Sequence, residues 1–241
     1  LAEGLLTHRE RSVVDVELAM RQWQSYVDAL AGHGWRIIEV DPEPDCPDSV
    51  FVEDTAFVYD DLAVIARPGA VSRRREVAAT ERALQAEGYR TVAITAPATL
   101  EGGDVLKYGG TVWVGMGSRT NPAGAHQLAA HLAPFGVEVV AVPNRLALHL
   151  KSTVTMIPDG TVVGYPPIVD DPAVWPGFCP VDEESGAHVL ILDERTVLMA
   201  ASAVATRVRF EHLGLRVVAV DISEFEKLEG CITCLSIRLR R

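Results

Sequence analysis

An internal repeat constrains this chain more than any other feature of its sequence. Four hairpins recur along it. Phe51 to Val58 and Leu62 to Arg67 flank Asp60-Asp61, and Asp104 to Tyr108 and Thr111 to Val114 flank Gly109-Gly110. Thr153 to Ile157 and Thr161 to Gly164 flank Asp159-Gly160, and Val189 to Leu192 and Thr196 to Met199 flank Asp193-Glu194. Short apolar runs joined by such dipeptides are hairpin signals. Helical periodicity lies between them. Glu17 to Ala31 sets Leu18, Met20, Trp23, Val27 and Leu30 roughly on one side, and Arg73 to Glu87, Pro122 to Pro134 and Ser202 to His212 are comparable. Each helix ends near Gly34, Gly88, Gly136 or Gly214, as C-terminal capping requires. The spacing then predicts closing strands over Arg36 to Val40, Thr91 to Ile94, Glu138 to Val142 and Arg216 to Val220.

Repeated strand–strand–helix–strand units predict a quasi-symmetric α/β assembly around one axis. No linker or low-complexity stretch divides it, so residues 1–241 are expected to form one domain. The proline-rich segment Pro166 to Gly186 is expected to replace a helix by a loop and a short turn.

The charge balance narrows the partners. Acidic residues outnumber basic ones 33 to 22, a net charge of −11. Such a field disfavours nucleic acid and anionic membranes and favours a cationic ligand. The longest apolar runs, such as Leu62 to Ala66 and Val137 to Val142, are strand-length and too short to span a bilayer. Leu1 to Glu10 lacks a basic stretch followed by an apolar block, so no signal peptide and a cytoplasmic location are expected. The four cysteines do not suggest a disulfide framework. Cys231 and Cys234 form a C-x-x-C string, which admits a redox or zinc reading. A redox pair wants a helix start, whereas Leu235 to Ile237 reads as a strand. A zinc site wants a second close ligand pair, and the sequence offers none. No phosphate loop or dinucleotide fingerprint is present, and no metal or cofactor is expected.

Polar residues interrupt apolar stretches in several places. Asp48, Glu53 and Asp54 surround the run at Phe51, and Glu101 and Asp104 flank Gly102-Gly103. His149 sits among leucines, and Cys231 and Cys234 lie in the tail. Each admits a plain reading: solvated strand ends for the acids, a simple turn for the glycines, core packing for the histidine and cysteines. Taken together, a cysteine, a histidine and several carboxylates at strand ends fit attack on a cationic carbon. A thiolate attacks, a histidine moves protons, and carboxylates hold a guanidinium fork.

The strings FVEDTAFV, LEGGDVL, SRTN, LHLKS and GCITCLSIRL, in this order, resemble dimethylarginine dimethylaminohydrolases over about Leu5 to Leu239. That family belongs to the guanidine-modifying superfamily. The resemblance implies a pseudo-fivefold α/β propeller, its fifth unit combining the C-terminal strand with Gly4 to His8. It implies hydrolysis of methylated arginine to citrulline and dimethylamine or methylamine through a cysteine adduct, without cofactor, and it admits a homodimer. By the same resemblance Cys234 is the nucleophile, His149 the acid/base and Glu101 the carboxylate orienting it. Asp54 anchors the guanidinium, with Glu53 beside it and Phe51 packing in the pocket. Asp48 meets the α-amino group with backbone carbonyls near Leu5 and Leu228, and Arg73 and Arg119 clamp the α-carboxylate. Arg73 opens the run Arg73-Arg74-Arg75, which also reads as a solvated helix face, so Arg119 is the stronger ligand candidate. The segment resembling the family's lid, around Thr7 to Val13, departs from the family pattern and leaves the choice between methylated and unmethylated arginine open.

Three rivals stand beside this reading. They are an arginine deiminase using the same residues, a non-catalytic binder of arginine-like cations, and a zinc hydrolase built on Cys231, Cys234 and His149. Two candidate carboxylate clamps disfavour an agmatine deiminase.

Overall fold

In a computed structural model, which describes residues 1–175 and 177–240, each hairpin found in the sequence opens a three-stranded sheet. Arg241, the end of the expected domain, and Pro176 lie outside the described residues. Helix α1 (Val16–Gly32) comes first, with the Asp15 carboxylate accepting the Leu18 N–H at 3.0 Å as its N-cap. The first sheet is β1 (Ala56–Tyr59), β2 (Leu62–Ile65) and β3 (Arg90–Ala93), with α2 (Val77–Ala86) between β2 and β3. The second is β4 (Val105–Tyr108), β5 (Thr111–Met116) and β6 (Glu138–Pro143), with α3 (Pro122–Leu132) as its crossover. The third is β7 (Val154–Met156), β8 (Val162–Gly164) and β9 (Cys179–Pro180), and the fourth is β10 (Leu190–Ile191), β11 (Thr196–Ala200) and β12 (Arg216–Val220). Helix α4 (Val204–His212) joins β11 to β12, and α5 (Ser223–Glu226) follows.

All four sheets share one wiring. The first two strands pair antiparallel, and the third lies parallel to the second. A parallel return needs a crossover, which α2, α3 and α4 supply. Between β8 and β9 the crossover contains two short 3-10 turns, Pro166–Ile168 and Pro172–Val174, in place of a helix. The middle strands are the most buried, since every residue of β2 and β11 is inside. Buried Leu62, Val64, Val112 and Val114 fill the space between the first two sheets.

Two expectations change. Arg36 to Val40 is not a strand, and neither are Gly4 to His8 nor Leu235 to Ile237. Segments 36–41 and 235–239 instead line a cavity of about 800 Å³ beside α1. The buried face of α1 is also rotated from the expected one. Ala19, Gln22, Tyr26 and Leu30 point inward at i, i+3, i+7 and i+11, while Met20 is 67% exposed. Gln22 belongs to the inner face because its amide is paired: it donates to Ser223 Oγ at 2.8 Å and accepts the Glu224 N–H at 3.0 Å. Counting only apolar residues therefore shifted the stripe. No helix among the described residues is long and apolar enough to cross a membrane.

The rotated face makes a direct prediction. Met20→Lys should change stability by no more than about 0.5 kcal/mol. Tyr26→Ala, which removes a ring 1% exposed in the core, should cost about 3–5 kcal/mol. Denaturant midpoints of the two variants check this.

Candidate active site

A 3-10 turn precedes the first strand of every sheet: Val52–Thr55, Gly102–Asp104, Leu150–Ser152 and Glu184–Ala187. A further turn at residues 232–235 has no strand after it, and there the Cys234 N–H donates to the Cys231 carbonyl at 3.1 Å. Phe51, Glu53, Asp54, Glu101, His149 and Cys234 lie in or next to these turns, not on strands. On a strand, adjacent Glu53 and Asp54 would face opposite sides of a sheet. In the turn they reach two separate sets of cations.

Three of the predicted residues meet around His149. Its Nε2 lies 2.6 Å from Glu101 Oε2, and its Nδ1 lies 3.6 Å from Asp54 Oδ1. Burial works against a charged imidazole, but Asp54, Glu101 and Asp104 outweigh it and raise His149 to about 9. Burial likewise favours a neutral Glu101. The hydrogen bond and charge of His149, with Arg119 and Arg73, overcome this and hold Glu101 at about 2. The glycine pair explains how the groups approach so closely. A Cβ on Gly103 would lie 2.5 Å from Asp54 Oδ1 and 2.7 Å from His149 Cγ, and the Gly103 N–H donates to Asp54 at 3.1 Å. The glycines, which also admit the reading of a simple turn, bring the backbone up against these two side chains.

Arg73 is buried, not solvated; the exposed member of the basic run is Arg75. Its Nη1 meets Asp54 Oδ2 at 2.7 Å, and its Nε and Nη2 bind Glu76 at 3.1 and 2.8 Å. Arg119 is different. Its Nη2 donates to Thr7 Oγ1 at 3.4 Å, while its buried Nη1 is held only by charge, 3.5 Å from Glu101 Oε1, and makes no hydrogen bond. A buried guanidinium with an unused donor is costly unless something arrives to accept it.

Asp48 accepts the Leu5 N–H on both carboxylate oxygens at 3.1 Å, and burial raises its pKa. Phe51 stacks edge-on against Phe225, with ring centroids 6.4 Å apart. A cavity of about 20 Å³ is lined by Leu5, Asp48, Phe51, Asp54, Arg73 and Arg119, and on its other side by His149, Leu228 and Cys234. That volume holds about one water. A groove of about 560 Å³ shares Leu148, Glu229 and Gly230 with it. Two predicted residues stand outside this lining. Glu101 lies behind His149 and is fully buried, and Glu53 lines a separate cavity of about 640 Å³.

Glu53 instead supports the cysteine turn. Its carboxylate meets Lys151 and Arg238 at 2.6 Å each and accepts the Thr233 hydroxyl at 2.8 Å. Its N–H donates to the Cys234 carbonyl at 3.1 Å. Burial opposes its charge, but the two cations prevail and lower Glu53 to about 2. In the turn, the Cys231 N–H donates to Cys234 Sγ at 3.3 Å, and the two sulfurs are 3.1 Å apart. The Cys234 S–H stabilises a Cys231 thiolate and lowers Cys231 to about 6. Cys234 is pushed well above the usual thiol range, first by Cys231 and then by burial and nearby carboxylates. The pair therefore gives up one proton readily and the second with difficulty.

Sequence reading gave no role to several supporting residues. Asp104, fully buried and raised to about 6 by that burial, accepts the Leu150 N–H and the Thr120 hydroxyl and so fixes the turn after His149. Glu229 accepts the Thr7 N–H at 2.8 Å and also the His8 N–H, tying the N-terminal segment across the cavity. Glu76, Lys151 and Arg238 were visible only as surface-type charges. Their partners are distant in sequence or hidden in a run of like residues. Ligand atoms of Asp54, Glu101 and His149 fall within 4.8 Å of one another, a spacing that their mutual charge already explains.

Glu53 makes an acid-limb prediction. Its folded pKa lies below the unfolded value of 4.5, so its stabilisation is present above that value and is lost as pH falls toward about 2. That term is on the order of 3 kcal/mol. Chemical denaturation between neutral pH and pH about 2 should show a shallower acid loss for Glu53→Gln than for the parent protein.

Comparison with known proteins agrees with this geometry. The arginine deiminase family model matches residues 18–185. A dimethylarginine dimethylaminohydrolase of Streptomyces coelicolor is 57% identical over 240 residues, covering 100% of this chain and 93% of that relative. Among solved structures, a dimethylarginine dimethylaminohydrolase adduct with S-methyl-L-thiocitrulline matches with TM-score 0.91 and 31% identity, over 99% of this chain and 94% of that one. The Pseudomonas aeruginosa enzyme, a variant complexed with citrulline, matches with TM-score 0.90 and 31% identity over the same shares. The chain thus belongs to the arginine deiminase family and, within it, to the dimethylarginine dimethylaminohydrolases.

Proposed function

We propose that this protein hydrolyses N-omega-methylated arginines to citrulline and dimethylamine or methylamine through a covalent Cys234 adduct. The observation that carries the reading is the buried His149, charged by its carboxylate neighbours and sharing a cavity wall with Cys234. The reading is supported further by relatives that are dimethylarginine dimethylaminohydrolases, with citrulline and a thiocitrulline as the ligands of their solved structures.

The cycle follows from the charges. In the free protein Cys234 resists ionisation, because Cys231 and carboxylates surround it. A guanidinium brought beside the sulfur supplies the positive charge that favours the thiolate. Asp54 already accepts one guanidinium hydrogen bond, from Arg73 Nη1, which shows its carboxylate to be set for a guanidinium. Cys234 attacks the guanidinium carbon. His149, protonated at rest, gives its proton to the methylated nitrogen, which leaves as the amine. Glu101 keeps the imidazole oriented throughout. Neutral His149 then takes a proton from water, the hydroxide adds to the adduct, and citrulline leaves with the thiol restored. Arg119, whose Nη1 pairs with Glu101 by charge but makes no hydrogen bond, is suited to the substrate carboxylate and Asp48 to its amino group, beside Leu5 and Leu228. Arg73, saturated by Asp54 and Glu76, is the weaker clamp in the free protein.

The same reading takes the four sheets and the unstranded turn at 232–235 as five units of a pseudo-fivefold propeller. The common wiring of the sheets and the turn ahead of each one support it.

Incubation with asymmetric dimethylarginine, monomethylarginine and arginine in excess chelator tests the function. Citrulline should form from the methylated substrates and not with Cys234→Ser. Citrulline mainly from arginine would make the protein a deiminase, and no turnover by folded, reduced protein would leave a binding role. Arg119→Met should raise KM by about tenfold or more with a smaller fall in kcat.

A further inference from the structure

The C-I-T-C string remains unexplained by catalysis, which needs only one of its sulfurs. The turn gives it a geometry. Four residues closed by an i to i+3 hydrogen bond hold their end Cα atoms within about 7 Å, the range a disulfide spans. The sulfurs already touch at 3.1 Å, and the Cys231 N–H points at Cys234 Sγ. All four cysteines are free thiols, and Cys46 and Cys179 lie elsewhere in the chain. Of the touching pair, Cys234 alone lines the cavity, whose volume admits a molecule of about the size of water. Cys231 is 1% exposed behind it.

We propose that Cys231 is a resolving thiol, which captures peroxide-oxidised Cys234 as an intramolecular disulfide and so makes oxidation of the nucleophile reversible.

The chemistry closes without further reactants. Cys234 as thiolate attacks one oxygen of hydrogen peroxide, the O–O bond breaks, and the departing hydroxide takes up a proton as water. The sulfenic acid at Cys234 is then attacked by Cys231. The S–S bond forms, the S–O bond breaks, and the second hydroxide leaves as water with the remaining thiol proton. Two thiols and one peroxide give one disulfide and two waters, the sulfurs losing two electrons to the peroxide. The two sulfurs share one readily lost proton across their contact: the minor form with the charge on Cys234, which the Cys231 N–H stabilises, takes the first step, and the Cys231 thiol, whose pKa is lowered, takes the second. Without Cys231, the sulfenic acid has no thiol partner in contact and proceeds to sulfinic and sulfonic acids.

The loss of activity on oxidation rests on Cys234 being the nucleophile, whereas the disulfide does not. The test is therefore read first by mass. Reduced protein in chelator is treated with hydrogen peroxide and its 228–238 peptide is analysed. The expected product has lost two hydrogens and resists alkylation, citrulline formation is lost, and dithiothreitol restores both thiols and turnover. Cys231→Ser, close in size, should instead gain two or three oxygens at Cys234 and stay inactive after dithiothreitol. Over-oxidised Cys234 beside an intact Cys231 thiol in the parent protein would overturn the proposal. Recovery of Cys231→Ser to the parent's extent would do the same. Formation of the disulfide in a protein that turns over no substrate would uphold the thiol chemistry while sinking the catalytic reading.

Discussion

The hydrogen bond between Glu101 and His149 holds together a set of charges that would otherwise not survive burial. A carboxylate with no exposure is expensive to leave charged, and so is an imidazolium. At 2.6 Å each stabilises the other, so Glu101 stays ionised and His149 protonated. Asp54 and Asp104 add negative charge around the ring, and Arg73 and Arg119 answer it from the opposite side. Where the compensation is thinner, charge is suppressed: burial raises Asp104 to about 6 and Glu76 to about 7.

The fold serves this cluster by bringing short turns together ahead of its sheets. A 3-10 turn sets adjacent side chains about a third of a turn apart, so both can reach partners at the same end of the sheets, whereas a strand would send them to opposite faces. Glu53 and Asp54 show the result. One anchors the cysteine turn through Lys151, Arg238 and Thr233, and the other faces His149 and Arg73. The four sheets behind are small, but in three of them the middle strand is buried at every residue, which makes a rigid backing for the turns.

Much of this was legible in the sequence, because hairpin dipeptides and helix-ending glycines are local signals. Gly34, Gly88, Gly136 and Gly214 all adopt positive φ between 67° and 83°, which explains why each helix stops there. The stretch Arg36 to Val40 misled because its apolar residues line a cavity beside α1, where burial needs no partner strand. Arg73 misled in the opposite way, since a run of three arginines conceals the one whose partners, Asp54 and Glu76, fold around it. Met20 and Gln22 exchanged roles because a paired amide can occupy a core position that hydrophobicity alone withholds. The contact of Cys231 with Cys234 depends on a turn that β-forming neighbours disguise.

The buried carboxylates keep His149 charged in the free protein, ready to donate before it accepts. Nuclear magnetic resonance of the isotope-labelled His149 ring, followed across pH, tests this most directly. The ring should titrate near 9, well above the ordinary value of 6.5. A midpoint at or below that ordinary value would mean that burial wins over the carboxylates, and would contradict the proposed order of proton transfers.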